Sequence, residues 1–154
     1  MKHFLPAFAI VLAAAAQAQP APVAVSAPWA RAVMQGQSNS AAYMTLTAAE
    51  PLTLTGASSP AAGVVEIHEM WMEGDVMKMR ARESVALPAG QAVSFRPGGY
   101  HLMLMNLKAA FRPGMVVPLT LQLRDAQGRV RELKVEAPVA FMPPQAHQPH
   151  GHKP

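Results

Sequence analysis

The sequence predicts an all-β protein built as an antiparallel sandwich or barrel. Three observations carry that expectation. Most of the chain divides into short runs of strand-forming residues. Turn signals containing Gly, Pro or Asp separate those runs at short intervals. No stretch of helical length repeats its apolar residues with a 3.6-residue period, and no internal repeat is visible.

Taken in order, the chain opens on a segment that does not belong to the folded domain. Lys2 supplies a positive start, Phe4 to Ala16 is apolar, and Ala16-Gln17-Ala18 forms an A-x-A pattern. This reads as a secretory signal peptide over 1–18, cut after Ala18. The apolar run is shorter than the roughly 20 residues of a membrane-spanning helix. No later segment is longer, so the expected mature protein is soluble and exported. The mature domain is expected over 19–142, with 19–28, rich in Ala and Pro, as an extended lead-in.

Strands are then expected at 41–48 (AAYMTLTA), 52–56 (LTLTG), 64–72 (VVEIHEMWM) and 76–82 (VMKMRAR). They continue at 91–96 (QAVSFR), 100–107 (YHLMLMNL), 115–124 (MVVPLTLQLR) and 129–136 (RVRELKVE). Gly74-Asp75 suits a two-residue hairpin turn, and Asp125-Ala126-Gln127-Gly128 marks another hairpin. The tail 143–154, PPQAHQPHGHKP, holds few core-forming residues and is expected to be disordered on its own.

Composition removes several function classes. The chain has no cysteine, which excludes disulfides, thiolate nucleophiles and iron–sulfur ligation. The formal charge is +4, falling to +3 without Lys2, and the basic residues are scattered. Nucleic-acid binding is therefore a poor reading. No G-x-S-x-G nucleophile motif and no H-E-x-x-H helix motif occurs, so no enzyme is indicated. His68 with Glu66 or Glu69 is the nearest approach to a hydrolytic zinc site.

The distinctive chemistry lies in two segments. IHEMWMEGDVMKM (67–79) carries four methionines and a histidine, and YHLMLM (100–105) adds a histidine and two methionines. Side chains of a strand alternate between faces. His68, Met70 and Met72 therefore share a face, as do His101, Met103 and Met105. A two-residue turn at Gly74-Asp75 would place Met72 beside Met77 and Met70 beside Met79, with His68 diagonal to Met79. Pro97-Gly98-Gly99 puts His101 near a strand start, an edge location suited to a partly exposed site.

A methionine stripe on a buried face is ordinarily packing, and a lone histidine is ordinarily a satisfied polar residue. Here two separate segments each hold a His two positions from a Met, which points to ligands instead. Thioethers select Cu(I), and imidazole suits copper in general. Zinc sites rarely use Met, and calcium and magnesium want oxygen. A thioether also needs no deprotonation and cannot form a disulfide, so it serves in an oxidising compartment.

The spacing His68-x10-Met79-x21-His101-x-Met103 resembles the signature of the periplasmic copper chaperones of the PCu(A)C type. The surrounding text is similar too: PWARA (28–32), AAYMTL (41–46), EIHEM (66–70), VMKMR (76–80), PGGYHLMLMNL (97–107) and VPLTL (117–121). The resemblance covers roughly residues 25–140. It implies a cupredoxin-like Greek-key β-barrel or sandwich, with a Cu(I) site near one end. It implies His68, Met79, His101 and Met103 as the ligands. Met70, Met72, Met77 and Met105 fall outside the signature, as hydrophobic surround or docking face, with Met77 also a candidate for the site face. The implied role is to carry copper in the periplasm to the binuclear site of cytochrome c oxidase subunit II, alongside a Sco-type thiol chaperone.

Blue-copper electron transfer is excluded, because that site needs a Cys thiolate. The alternatives are copper buffering or resistance through the same site, and a metal-free interaction module with a methionine-rich face. The tail adds His147, His150 and His152, a short His-rich tract suited to Cu(II) or to supplementing the main site.

Overall fold

The computed structural model describes residues 22–144. The expected signal peptide 1–18 and the tail histidines His147, His150 and His152 lie outside the described residues.

Ten strands follow one another: β1 (Val23–Arg31), β2 (Asn39–Ala48), β3 (Leu52–Ser58), β4 (Ala62–Glu73) and β5 (Val76–Arg82). Then come β6 (Val85–Leu87), β7 (Ala92–Phe95), β8 (Tyr100–Leu107), β9 (Val116–Asp125) and β10 (Val130–Ala140). Their spatial order is β5-β4-β8-β7-β2-β1-β10-β9-β3-β6. The first six form one half and the last four the other, and parallel pairing of β1 with β10 joins them at Ala30↔Val139 and Arg31↔Ala140. One apolar core draws on both halves. Ile67, Leu46, Leu102 and Leu104 come from the larger half, and Leu54, Leu87, Leu119, Leu121 and Leu123 from the smaller. The expectation of an all-β sandwich stands. Among the described residues no helix is long and apolar enough to cross a membrane.

The eight expected strands are all present, but the chain forms two more. Residues 23–31, with 23–28 expected as part of a lead-in, form β1. Val23 and Val25 pack on the core, as an alternating strand requires. Register against β2 then slips between Ser26 and Trp29, where Ala27 has φ 47° and Pro28 lacks a backbone donor. This bulge reverses the facing of the residues after it. Ala30 enters the core, while Trp29 turns to the outer face against Tyr43, with ring centroids 4.6 Å apart. The second addition, β6, is three residues long, too short to register as an alternating run. β10 also runs on past 136 to Ala140, with Ala137 and Val139 still alternating into the core.

The β4–β5 hairpin forms as expected. Glu73 pairs with Val76 around the two-residue loop Gly74-Asp75, and Gly74 takes φ 62°. A left-handed first loop position is what a type II′ turn needs, and glycine adopts it without a Cβ clash.

Candidate functional site

Strand parity places the Met/His set on the outer face of the larger half, away from the core. In β4 that face carries Glu66, His68, Met70 and Met72, while Ile67 points inward. Across the hairpin, Met70 pairs with Met79 and Met72 with Met77. On the other side of β4, His68 pairs with His101 and Glu66 with Met103. Three adjacent strands thus present all four signature residues on one face.

A cavity of about 500 Å³ opens on this face. His101, Met103 and Met79 line it, and so do Met70 and Met77. Tyr43 and Arg31 stand in its further wall, and Pro97 and Gly98 of the β7–β8 loop help border it. His68 is not in the lining; it lies beside His101, with ring centroids 5.7 Å apart at 64°.

The exposure of His101 corrects one expectation. A strand start is not a sheet edge: β8 lies inside the sheet, paired with β4, β2 and β7. His101 is accordingly only 3% exposed, and His68 only 9%. The open side of the site belongs to the true edge strand β5, where Met77 is 48% and Met79 49% exposed.

Hydrogen bonds fix the tautomer of each ring. His101 Nδ1 lies 3.1 Å from the Gly99 carbonyl oxygen. A carbonyl only accepts, so Nδ1 carries the proton and Nε2 keeps its lone pair. His68 Nε2 lies 2.8 Å from Glu66 Oε2. An ionised carboxylate only accepts, so Nε2–H donates and Nδ1 keeps the lone pair. That Nδ1 is buried and has no hydrogen-bond partner. Imidazoles that bind metal show this arrangement, with one nitrogen free and the other donating to a carboxylate or backbone carbonyl.

Electrostatics favour neutral imidazole at His101. Burial pushes its pKa below 6.5; the Gly99 bond partly opposes this, and His68 and Arg31 add to the lowering. Burial also raises the Tyr43 phenol, against the nearby Arg31 charge. Among the described residues no three His, Asp or Glu side chains gather to hold a metal. The hydrolytic zinc arrangement therefore lacks a third ligand, and the donors that do converge are imidazole nitrogen and thioether sulfur.

Sequence reasoning missed three parts of the site. Glu66 orients His68, and Gly99 orients His101. Tyr43 and Arg31 form the further wall. The last two stand in PWARA and AAYMTL, stretches that carried the resemblance but showed no local metal-binding pattern.

Fold and site together define a β-sandwich protein with a mixed nitrogen and sulfur donor set on its sheet face. The chain belongs to the LpqE-like family: the family model described as "Putative lipoprotein LpqE-like" matches residues 23–139. It is 32% identical over 104 residues to "Putative lipoprotein Lxx21020" of Leifsonia xyli, covering 67% of this chain and 63% of that one. It is 34% identical over 114 residues to "Uncharacterized protein RP573" of Rickettsia prowazekii, covering 70% and 63%. The chain thus spans 63% of the length of these curated relatives.

Among solved structures it is similar to DR1885 of Deinococcus radiodurans. The apo solution structure is 32% identical with a TM-score of 0.57, covering 90% of this chain and 95% of that one. The CuI solution structure is 34% identical with a TM-score of 0.54, covering 82% of each. The copper-bound PCuAC domain of PmoF2 shares the fold at 24% identity and a TM-score of 0.62, covering 77% and 92%. The resemblance to PCu(A)C proteins and the cupredoxin-like fold it implied both stand.

Proposed function

We propose that this chain is an exported copper chaperone that binds Cu(I) through His68, Met79, His101 and Met103. The observation that carries the reading is the buried, unpaired Nδ1 of His68 beside His101, on the same face as the thioethers. Support also comes from the DR1885 relative, whose solution structure is described with CuI. Two neutral nitrogens and two neutral sulfurs suit a soft monovalent ion.

The half-exposed Met79 is the point of exchange. An acceptor's ligand displaces that thioether first, while the buried imidazoles keep the ion until transfer completes. No enzymatic step is needed. The proposed acceptor is the binuclear copper site of cytochrome c oxidase subunit II, with a Sco-type chaperone acting alongside in the periplasm. The proposed organisation is a signal peptide over 1–18, the copper domain over 19–142 and the tail over 143–154. In that tail, His147, His150 and His152 offer imidazole without thioether, a set suited to Cu(II).

Replacing Met79 and Met103 together by Leu tests the ligand set. Leucine conserves volume, so folding should change by less than about 1.5 kcal/mol per site. Cu(I) affinity should collapse, and X-ray absorption should show two fewer sulfur neighbours. Retained affinity would refute the assignment. Removing 143–154 should weaken Cu(II) capture and leave Cu(I) binding intact. Deleting the gene should lower oxidase copper content. Unchanged oxidase with heightened copper sensitivity would favour buffering instead.

A further inference from the structure

A guanidinium stands in the wall of a cavity proposed to take a cation. Arg31 closes β1, and its Cζ lies 5.7 Å from the centroid of the Tyr43 ring. That ring lies 6.4 Å from the His101 ring. Every ion pair among the described residues leaves Arg31 out. Glu66, the carboxylate nearest the histidines, accepts a hydrogen bond from His68 that does not cancel its charge, so it offsets part of the Arg31 field without pairing with Arg31.

The register sets the backbone separation between Arg31 and the ligands. Ala30 pairs with Ala42, which puts Arg31 opposite Ala41, and Ala41 pairs with Met103. Arg31 therefore sits two strands from a proposed ligand. At about 4.8 Å per strand this is about 10 Å along the sheet. The bulge at Ala27–Pro28 turns Arg31, like Trp29, to the outer face.

A fixed positive charge there repels any metal ion, so it weakens copper binding in absolute terms. Its effect is unequal between ions, because Coulomb energy is proportional to the ion's charge. Thioethers already prefer Cu(I), but two imidazoles would also accept Cu(II) or Zn(II). Charge can act against those divalent ions where ligand type cannot.

We infer that Arg31 is a specificity-determining residue, whose unpaired charge repels a divalent ion twice as strongly as a monovalent one and so reserves the cavity for Cu(I). The inference rests on the Cu(I) reading above and adds the means of discrimination.

The test uses the full chain carrying His147→Asn, His150→Asn and His152→Asn, so that tail imidazoles do not compete for Cu(II). Cu(I) and Cu(II) affinities are measured by competition with chromophoric chelators, under reducing and aerobic conditions respectively. Arg31→Gln, Arg31→Met and Arg31→Lys are compared with the parent. Arg31→Met keeps an apolar stem over Tyr43 and guards against misfolding of the Gln variant.

For one charge about 10 Å away, removal should tighten Cu(I) by roughly two- to 16-fold, the range between bulk water and a protein surface, and Cu(II) by the square of that factor. Arg31→Lys should match the parent. Equal changes for both ions, no change, or a Lys variant that behaves like Gln would overturn the inference and leave the Cu(I) site standing. A parent that binds no Cu(I) would overturn both.

Discussion

His68 and His101 face each other across β4 and β8, their rings 5.7 Å apart and inclined at 64°. Each is anchored through one nitrogen, His68 to Glu66 and His101 to the Gly99 carbonyl. The other nitrogen of His68 is buried without a partner. An unsatisfied buried polar atom costs about 1–3 kcal/mol. A fold that keeps one beside a second imidazole and a row of thioethers is poised for a ligand that can use the lone pair.

This makes His68→Leu informative in two ways. Leucine is of similar size and removes the orphaned nitrogen. Unfolding of the metal-free protein in urea should show unchanged stability or a gain of about 1 kcal/mol. Cu(I) affinity should fall by more than about 100-fold. A structural histidine would give the reverse pattern, a destabilised protein with intact copper binding.

Glu66 offers a second, separable test. Its side chain is 45% exposed, so its only tie to the site is the bond from His68 Nε2. Without that acceptor the imidazole is free to rotate or to move its proton to Nδ1. Glu66→Ala should lower Cu(I) affinity about 10- to 100-fold, while stability stays within about 0.5 kcal/mol. Glu66→Gln keeps an acceptor oxygen and should lose less. Equal copper affinity in all three proteins would mean that Glu66 does not orient the ring.

The parts of this site that could be read from sequence depend on local rules. Alternation put His68 with Met70, and the Gly74-Asp75 turn set Met70 against Met79 and Met72 against Met77, as found. The parts that escaped depend on long-range register. β1 was missed because its alternation is interrupted at Ala27–Pro28. That same bulge aims Trp29 and Arg31 at the outer face, so the wall they form escaped with it. The burial of His101 follows from β8 lying between other strands, which strand-forming pattern alone does not encode. Gly99 holds His101 through a backbone carbonyl, a contact with no residue-type signal.

The depressed pKa of His101 predicts a pH dependence for the metal-free fold. Burial disfavours its imidazolium most, so the folded value lies below the 6.5 of the unfolded chain. Between these values the unfolded chain holds more protons, and stability therefore rises with pH. The contribution is complete above about pH 6.5 and declines as pH falls toward the lower folded value. Urea midpoints taken from pH 7.5 downward should record this decline, and His101→Gln should remove that component. An unchanged pH profile in the Gln variant would place the titration elsewhere.

Asp125 predicts an acid-sensitive element remote from the metal site. It ends β9 at the hairpin to β10, in the smaller half. Oδ1 accepts from Gln127 N at 3.0 Å and Arg129 N at 2.9 Å, and Oδ2 accepts from Arg129 Nε at 2.7 Å. Gly128, at φ 78°, lets the chain turn back beneath these bonds. Burial pushes the Asp125 carboxyl up, but the bonds from Arg129 and Gln127 and the Arg129 charge outweigh it, leaving the pKa below 3.8. The stabilisation is thus present above about pH 3.8 and lost as pH falls through the lower folded value. Asp125→Asn keeps an amide oxygen for the two backbone donors but turns an N–H toward Arg129 Nε. It should destabilise the fold at pH 7 and remove this part of the acid transition, both read by urea unfolding. Cu(I) affinity should stay at the parent value, because β9 and β10 carry none of the donors. A copper defect in Asp125→Asn would show that the two halves of the sandwich are coupled more tightly than their shared core requires.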